Sequence, residues 1–254
     1  MSPLFLAHGS PMLAIEQNEY SSFLQQTGAA LRPDAIVIVT AHWETEEVAI
    51  TSTDGVYETI YDFRGFPDEL YQVKYEARGS VQLAGQVAEL LQEAGIPSTL
   101  DGNRGLDHGS WTLLKHLFPM ADIPVVQMSV NPERSAEAHY LIGAALRSLS
   151  ASNILLIGSG VTVHNLRMVN WGQVEPEPWA VQFDDWLIDK LAKRNLYDLL
   201  SYESLAPHAK AAVPRSEHFL PLYVALGAGN PEQIPEVIYR GYAFGTLSHL
   251  SLKF

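Results

Sequence analysis

Apolar residues along the chain form short runs separated by longer amphipathic segments, a pattern typical of alternating strands and helices. The clearest run lies within Asp34–Glu44, DAIVIVTAHWE, where the residues from Ala35 to Thr40 are apolar or β-branched. This composition suits a strand buried on both faces. Comparable patterns predict further strands at 3–7, 47–53, 124–130 and 153–157, and near 236–244 and 245–253.

Between these runs, apolar positions recur at helical spacing and predict helices. The predicted helices cover 16–32, 80–94, 134–149 and 178–206, and another begins within 214–226. A polar loop that carries His108 precedes a further helical run, which ends at Phe118. Strands that alternate with helices are the mark of an α/β fold. We therefore expect one α/β domain over residues 1–254, with a central mixed β-sheet flanked by helices on both faces.

Composition narrows the class of protein. The chain has 254 residues, 47% of them hydrophobic, and a net charge of -13 without a cluster of Lys or Arg. Nucleic-acid binding needs such a basic cluster, and anionic membranes repel an acidic surface, so neither partner is expected. No stretch approaches the ~20 apolar residues of a membrane span, and no signal peptide is evident, so we expect a cytoplasmic protein.

The chemistry-bearing residues fall where predicted strands end. His8, His42 and His164 each follow an apolar strand, and active sites of open α/β sheets gather at the carboxyl ends of strands. The chain has no cysteine, so a metal must be held by His, Asp or Glu. With His108 and the Glu217-His218 pair, these histidines predict a metal site at the strand ends. Two His and a carboxylate would suit Fe(II), whereas three or four His would suit Zn.

Other segments receive simpler interpretations. The aromatic segment 57–75 is predicted to be a loop that covers the site, because long loops in compact domains are often functional. His116 is expected to pack or to face solvent, His139 to be exposed, and His249 to be structural.

Six motifs, in order along nearly the whole chain, resemble the class III extradiol ring-cleavage dioxygenases, most closely the DOPA 4,5-dioxygenase branch. They are HGSP at 8–11, AHWE at 41–44, YDFRGFP at 61–67, LDHGSW at 106–111, GSGVTVHN at 158–165 and SEHFLPL at 216–222. The resemblance implies one divalent metal per chain, with Fe(II) for activity and Zn expected in the isolated protein. It also implies a small aromatic diol and O2 as substrates, and a muconic semialdehyde as product.

The resemblance further implies roles for individual residues. His8 and His42 would be metal ligands, and the segment of Glu217 and His218 would supply the next one. We expect the metal set to be His8, His42, His164 and His218. His108 would be the catalytic acid or base, with His164 as the second choice. The substrate-binding walls are predicted to be Trp43, Trp111 and Phe219.

Two other functions fit the same histidines. A Zn-dependent hydrolase would use them to activate water instead of O2. A non-enzymatic binding protein would keep the fold without metal or catechol affinity. A homo-oligomer is compatible with the sequence in each case.

Overall fold

A computed structural model describes all residues from 1 to 254. Eight strands form one sheet: β1 (Leu4–Ala7), β2 (Ala35–Glu44), β3 (Val48–Thr51), β4 (Ser98–Asp101), β5 (Val125–Val130), β6 (Ile154–Gly160), β7 (Glu236–Tyr239) and β10 (Ser251–Lys253). A separate two-stranded ribbon pairs β8 (Tyr242–Ala243) with β9 (Leu247–Ser248). The helices are α1 (Glu19–Ala29), α2 (Val81–Glu93), α3 (His108–Leu117), α4 (Ala136–Ala145), α5 (Pro178–Ala192), α6 (Leu196–Leu200), α7 (Tyr202–Leu205), α8 (Ala209–Ala212) and α9 (Leu220–Ala228).

The large sheet is mixed, with the strand order β4-β3-β5-β2-β6-β1-β10-β7. Its centre is parallel, because β5, β2, β6 and β1 pair in parallel with their neighbours. The antiparallel pairings flank this centre: β3 against β5 on one side, and β10 against β1 and β7 on the other. The carboxyl ends of β1, β6 and β2 therefore lie side by side.

Helices cover both faces of the sheet, as predicted. Successive residues of β2 alternate between the two cores: Val37 and Val39 pack in one, whereas Ile36 and Ile38 pack in the other. The first core includes residues of α2, α4, α5 and α9, and the second includes residues of α1 and α3. The long apolar run in β2 is thus explained by burial on both sides.

The ends of the helices follow from their capping residues. The Asn18 side chain accepts a hydrogen bond from the Ser21 amide at the start of α1, and Ser80 caps α2 in the same way. Asp107 caps α3 and thereby sets His108 as its first residue. Such caps satisfy amides that have no partner within the helix.

Among the helices, none has both the length and the apolar character needed to cross a membrane.

Several predicted boundaries differ from the structure. Strand β4 was missed because it is short, partly polar and lies at the sheet edge. Strand β6 continues through the glycine-containing segment to Gly160, beyond the predicted end at Ile157. The two C-terminal strands are each divided, so that 236–253 forms β7, β8, β9 and β10.

Candidate metal centre

Three histidines converge at the carboxyl ends of the parallel strands. His8 follows β1, His42 lies near the end of β2, and β6 runs between these two strands. The Nε2 atoms of His8 and His42 are 3.1 Å apart. His218 reaches the same point from the segment before α9, with its Nε2 3.3 Å from that of His42. Each of these three side chains offers one possible metal-ligand atom, and the three atoms lie within 4.8 Å of one another.

Each of the three imidazoles has an oxygen atom beside its other nitrogen. His8 Nδ1 lies 3.0 Å from the Ser159 hydroxyl, which itself donates to the Gly109 carbonyl and therefore accepts from His8. His42 Nδ1 faces Asp62 Oδ2 at 3.3 Å, and His218 Nδ1 faces Glu217 Oε1 at 2.9 Å. These contacts assign the proton of each ring to Nδ1 and leave the Nε2 lone pairs directed at one another.

Burial keeps this cluster neutral. It lowers the pKa of His8 and of His218 well below the ordinary value, and neighbouring imidazoles lower both further. Burial and His108 lower the pKa of His42 to about 3. Three neutral imidazoles with facing lone pairs repel one another unless a cation lies between them. Neutral imidazole is also the form that binds divalent metals, so the residues fit a metal ion.

Glu217 and His218, the two candidates for the third ligand, have different contacts. Glu217 Oε1 contacts His218 Nδ1 at 2.9 Å, and Glu217 Oε2 lies 3.5 Å from Arg215 Nη1. Arg215 also makes a two-pronged ion pair with Glu44, two residues after His42. Glu217 therefore orients His218, while Arg215 connects the segments that carry His42 and His218.

His108 lies beside the cluster and shares a carboxylate with it. Its Nδ1 is 2.9 Å from Asp62 Oδ1, and its amide donates to the same oxygen at 3.0 Å. Although partial burial raises the pKa of Asp62, its contacts with His108 and His42 hold that pKa at about 2. Asp62 belongs to the 57–75 segment, so this loop reaches the site as predicted.

His164 is not among the three converging nitrogens; its own ligand atom groups with those of His218 and Glu217, and its place in the four-histidine set stays a prediction. Its ring stacks on that of His218, with centroids 3.6 Å apart and planes inclined by 11°. Parallel stacking places the two rings face to face. Burial and His108 lower the pKa of His164 to about 4. It lines the cavity above the cluster together with His108.

A cavity of about 280 Å³ opens over the imidazoles, and its apolar walls differ from the expectation. Phe63 and Phe66 line it, whereas Trp43, Trp111 and Phe219 do not. The Arg104 guanidinium lies over the Trp43 ring, 4.6 Å from its centroid. Trp111 and Phe219 are fully buried within the two cores. Core packing therefore takes up the surfaces of Trp111 and Phe219, and Trp43 contacts Arg104 instead of the cavity.

The remaining buried histidines have structural contacts. His139 is buried instead of exposed: its Nδ1 faces the Ser135 carbonyl, and its Nε2 accepts from the Asn131 amide. His116 packs inside, with Nε2 2.6 Å from the Leu13 carbonyl. His249 stacks on Tyr20 with centroids 4.5 Å apart.

Two glycines explain why β6 can lie against the segment of His218. A Cβ atom at Gly158 would come within 2.3 Å of the Pro221 carbonyl oxygen, and one at Gly160 within 2.2 Å of the His218 carbonyl oxygen. Any larger residue would force this segment away from the sheet. The glycine-containing motif therefore serves close packing of a ligand-bearing segment.

Sequence reasoning missed the residues that hold the histidines from behind, namely Asp62, Ser159 and Arg215. Asp62 had a detectable signal, since it is an acid inside an otherwise aromatic motif. Ser159 and Arg215 offered none, because their partners are distant along the chain.

Comparison with known proteins agrees with this geometry. The family model described as the catalytic LigB subunit of aromatic ring-opening dioxygenase matches residues 3–254. The chain belongs to this family of ring-opening dioxygenases.

Similar proteins narrow the class. The chain is 40% identical to the 4,5-DOPA dioxygenase extradiol of Beta vulgaris, covering 98% of this chain and 95% of that protein. It is also 40% identical to the protein of that name from Escherichia coli K12, covering 100% and 94%. The crystal structure of an uncharacterized Escherichia coli K12 protein superposes with a TM-score of 0.86 at 37% identity, covering 100% and 99%.

These findings confirm the class expected from the motifs. The chain is an oxidoreductase with the function of an extradiol ring-cleaving dioxygenase, which acts on an aromatic substrate with O2 at a metal site. They do not favour the hydrolase or the non-enzymatic alternative.

Proposed function

We propose that the protein cleaves the ring of a small catechol at an Fe(II) ion held by Nε2 of His8, His42 and His218. The convergence of these three nitrogens, each ring having its Nδ1 engaged elsewhere, is the observation that carries the proposal. Zn would bind the same nitrogens, so an isolated protein that contains Zn fits the same site. A cytoplasmic location and a homo-oligomeric state stay predictions.

When bound, the ferrous ion supplies adjacent positions for the diol and O2 and acidifies the diol hydroxyls. His108 is the best placed base. Asp62 Oδ1 lies 2.9 Å from its Nδ1, so Nε2 is the ring nitrogen that can accept a proton. The Asp62 carboxylate, ionised with a pKa of about 2, then stabilises the imidazolium that forms.

His164 serves in substrate binding and as the second candidate for proton transfer. Stacking on His218 fixes the plane of its ring, and the ring faces the cavity. With its pKa lowered to about 4, it is neutral at neutral pH and can exchange a hydrogen bond with a diol oxygen. Phe63 and Phe66 also line the cavity, where they confine the aromatic ring and exclude water.

The names of the relatives make DOPA a candidate substrate and 4,5-cleavage a candidate regiochemistry for this chain. In extradiol cleavage, both atoms of O2 enter the product and the ring carbon bond beside the diol breaks. The product would be a muconic semialdehyde, which is yellow.

The test is O2 consumption by protein reconstituted anaerobically with Fe(II), using unsubstituted catechol and DOPA. We expect uptake of one O2 per catechol consumed and a yellow product, with little uptake by the Zn-loaded protein. Full iron occupancy without uptake on either substrate would overturn the proposal.

A further inference from the structure

A fully buried carboxylate lies outside the metal centre. Asp184 belongs to α5, and none of its surface is exposed. Its Oδ1 accepts a hydrogen bond from the Thr162 hydroxyl at 2.7 Å. Its Oδ2 accepts from the hydroxyls of Tyr242 at 2.7 Å and Ser248 at 2.6 Å. We call these four residues the carboxylate network. Burying a carboxylate is costly unless such hydrogen bonds replace its lost hydration.

The directions of two of these hydrogen bonds follow from the other partners of the hydroxyl groups. The Ser248 hydroxyl accepts from the Leu250 amide at 3.0 Å, and the Tyr242 hydroxyl accepts from the Arg240 guanidinium at 3.3 Å. The proton of each hydroxyl is therefore left to donate to Asp184. Burial raises the pKa of this carboxyl, and the three hydrogen bonds oppose that rise.

The carboxylate network joins two segments that line the substrate cavity. Thr162 lies two residues before His164, and Ser248 directly follows Leu247. Both His164 and Leu247 line the cavity. The Ser248 amide also donates to the Val163 carbonyl at 3.3 Å, so the two segments are in direct contact.

The segment that carries His164 has no regular secondary structure of its own. Strand β6 ends at Gly160, and residues 161–165 are neither helix nor strand. The His164 amide donates to the Ala212 carbonyl at 2.9 Å, which fixes the backbone at His164. Thr162 lies between these two fixed points, and its side chain ties the intervening backbone to α5. Without this tie, the His164 ring would be free to shift relative to a bound diol.

We propose that Asp184 is a positioning residue for ring cleavage, which sets the place of the His164 imidazole in the cavity through the Thr162 hydroxyl. The inference rests on the proposed function, in which His164 binds a diol oxygen. A hydrophobic residue would fill the core at this position without any hydrogen bond. The fixed geometry that three charge-assisted hydrogen bonds impose explains the use of a carboxylate. Asp184 does not line the cavity, so it acts through Thr162.

The first experiment removes one hydroxyl and keeps the size of the side chain. Thr162→Val in the Fe(II)-loaded protein should lower kcat/KM for catechol about tenfold, because a displacement of ~1 Å can cost up to ~100-fold. Thr246→Val is the matched control, since Thr246 is also buried and its hydroxyl has no hydrogen-bond partner. Its kcat/KM should stay within about twofold of the unmodified protein. An unchanged kcat/KM in Thr162→Val, or an equal loss in Thr246→Val, would overturn the inference.

A double-mutant cycle separates the positioning of His164 from general support of the fold. Effects of residues that act independently are additive within about twofold, whereas effects of coupled residues are not. In the His164→Ala background, Thr162→Val should therefore lower kcat/KM by less than about twofold. The same tenfold loss in both backgrounds would show that the network acts without His164, and the inference would be wrong.

A binding measurement does not depend on turnover. Absorbance titration of the Zn-loaded protein with 4-nitrocatechol should give a Kd about tenfold higher in Thr162→Val than in the unmodified protein. The Kd for Zn, measured by competition with a chelator, should stay within about twofold. An equal rise in the Kd for Zn would assign the network to the metal centre instead of the substrate and would contradict the inference.

The same measurements test the carboxylate itself. Asp184→Ala should lose at least as much catechol turnover as Thr162→Val. Asp184→Asn should recover most of this loss, because its amide oxygen can accept from Ser248 and Tyr242. Its NH2 group can in turn donate to the Thr162 hydroxyl. A loss in Asp184→Asn as large as that in Asp184→Ala would argue against positioning by hydrogen bonds.

The two proposals fail differently. Lack of both catechol turnover and 4-nitrocatechol binding in the unmodified protein would overturn the proposed function, and this inference with it. An active protein in which Thr162→Val behaves like Thr246→Val would overturn the inference alone.

Discussion

The contact between Glu217 and His218 gives a quantitative test of the metal centre. Glu217→Gln keeps the size of the side chain and removes the negative charge 2.9 Å from His218 Nδ1. A hydrogen bond to a charged group contributes ~1.5–3 kcal/mol, and one between neutral groups ~0.5–1.5 kcal/mol. The free energy of metal binding in the variant should therefore be about 1–1.5 kcal/mol less favourable, because His218 is held less firmly.

A loss of ~1.4 kcal/mol corresponds to a tenfold increase in Kd. We expect the Kd for Zn to rise about tenfold in Glu217→Gln, at the lower end of the ~10–100-fold seen when groups behind metal ligands are changed. The assay is competition between the protein and a chromophoric chelator for Zn at fixed pH. Glu93→Gln is the control, because Glu93 is exposed at the end of α2. A Kd within twofold of the unmodified protein would refute the orienting role of Glu217. A loss of metal binding as large as that in His218→Ala would instead indicate that Glu217 is itself a ligand.

The other predictions concern individual histidines. His42→Ala should abolish stoichiometric binding of Fe(II) or Zn, measured by metal analysis after gel filtration, while circular dichroism stays unchanged; full occupancy would remove His42 from the ligands. His108→Ala should retain the metal but slow catechol turnover by ~100–10,000-fold, the usual effect of losing a general acid or base, and unchanged turnover would contradict its role. Burial lowers the pKa of His139 in the folded protein. As the pH falls below about 6.5, this histidine therefore takes up a proton in the unfolded protein before it does so in the folded one. The free energy of unfolding should therefore decrease from pH 7.5 to 5.5, and less steeply in His139→Gln; denaturant titrations with equal slopes in both proteins would refute this.

The fold was predictable where burial leaves a simple pattern. The β2 run is apolar because both faces of that strand are covered. The positions of His8 and His42 follow from the ends of β1 and β2, the parallel strands on either side of β6. Strand β4 and the divided C-terminal strands were not predictable, because strands of two to four residues are too short to show a helical or a two-residue repeat.

The candidate site was predictable in its residue types but not in its assignment of roles. Four histidines at strand ends and loops look equivalent in sequence, yet the nitrogens of three of them converge, whereas His164 stacks on His218 and groups with Glu217. The predicted walls Trp111 and Phe219 were chosen because aromatics near a site often contact substrate. Aromatic side chains also pack in hydrophobic cores, and only the three-dimensional arrangement distinguishes core packing from substrate contact.

The order in which the ligands appear along the chain has a consequence for protein synthesis. His8 and His42 are made early, whereas His218 follows 176 residues after His42. A ribosome that adds ~5–20 residues per second needs roughly ten seconds or more to cover that interval. During this time the nascent chain offers two of the three nitrogens, and the third is delivered only when the segment before α9 packs against Gly158 and Gly160. With the proposed ligand set, the complete site would therefore form late in maturation, and the metal available to the finished chain would fill it.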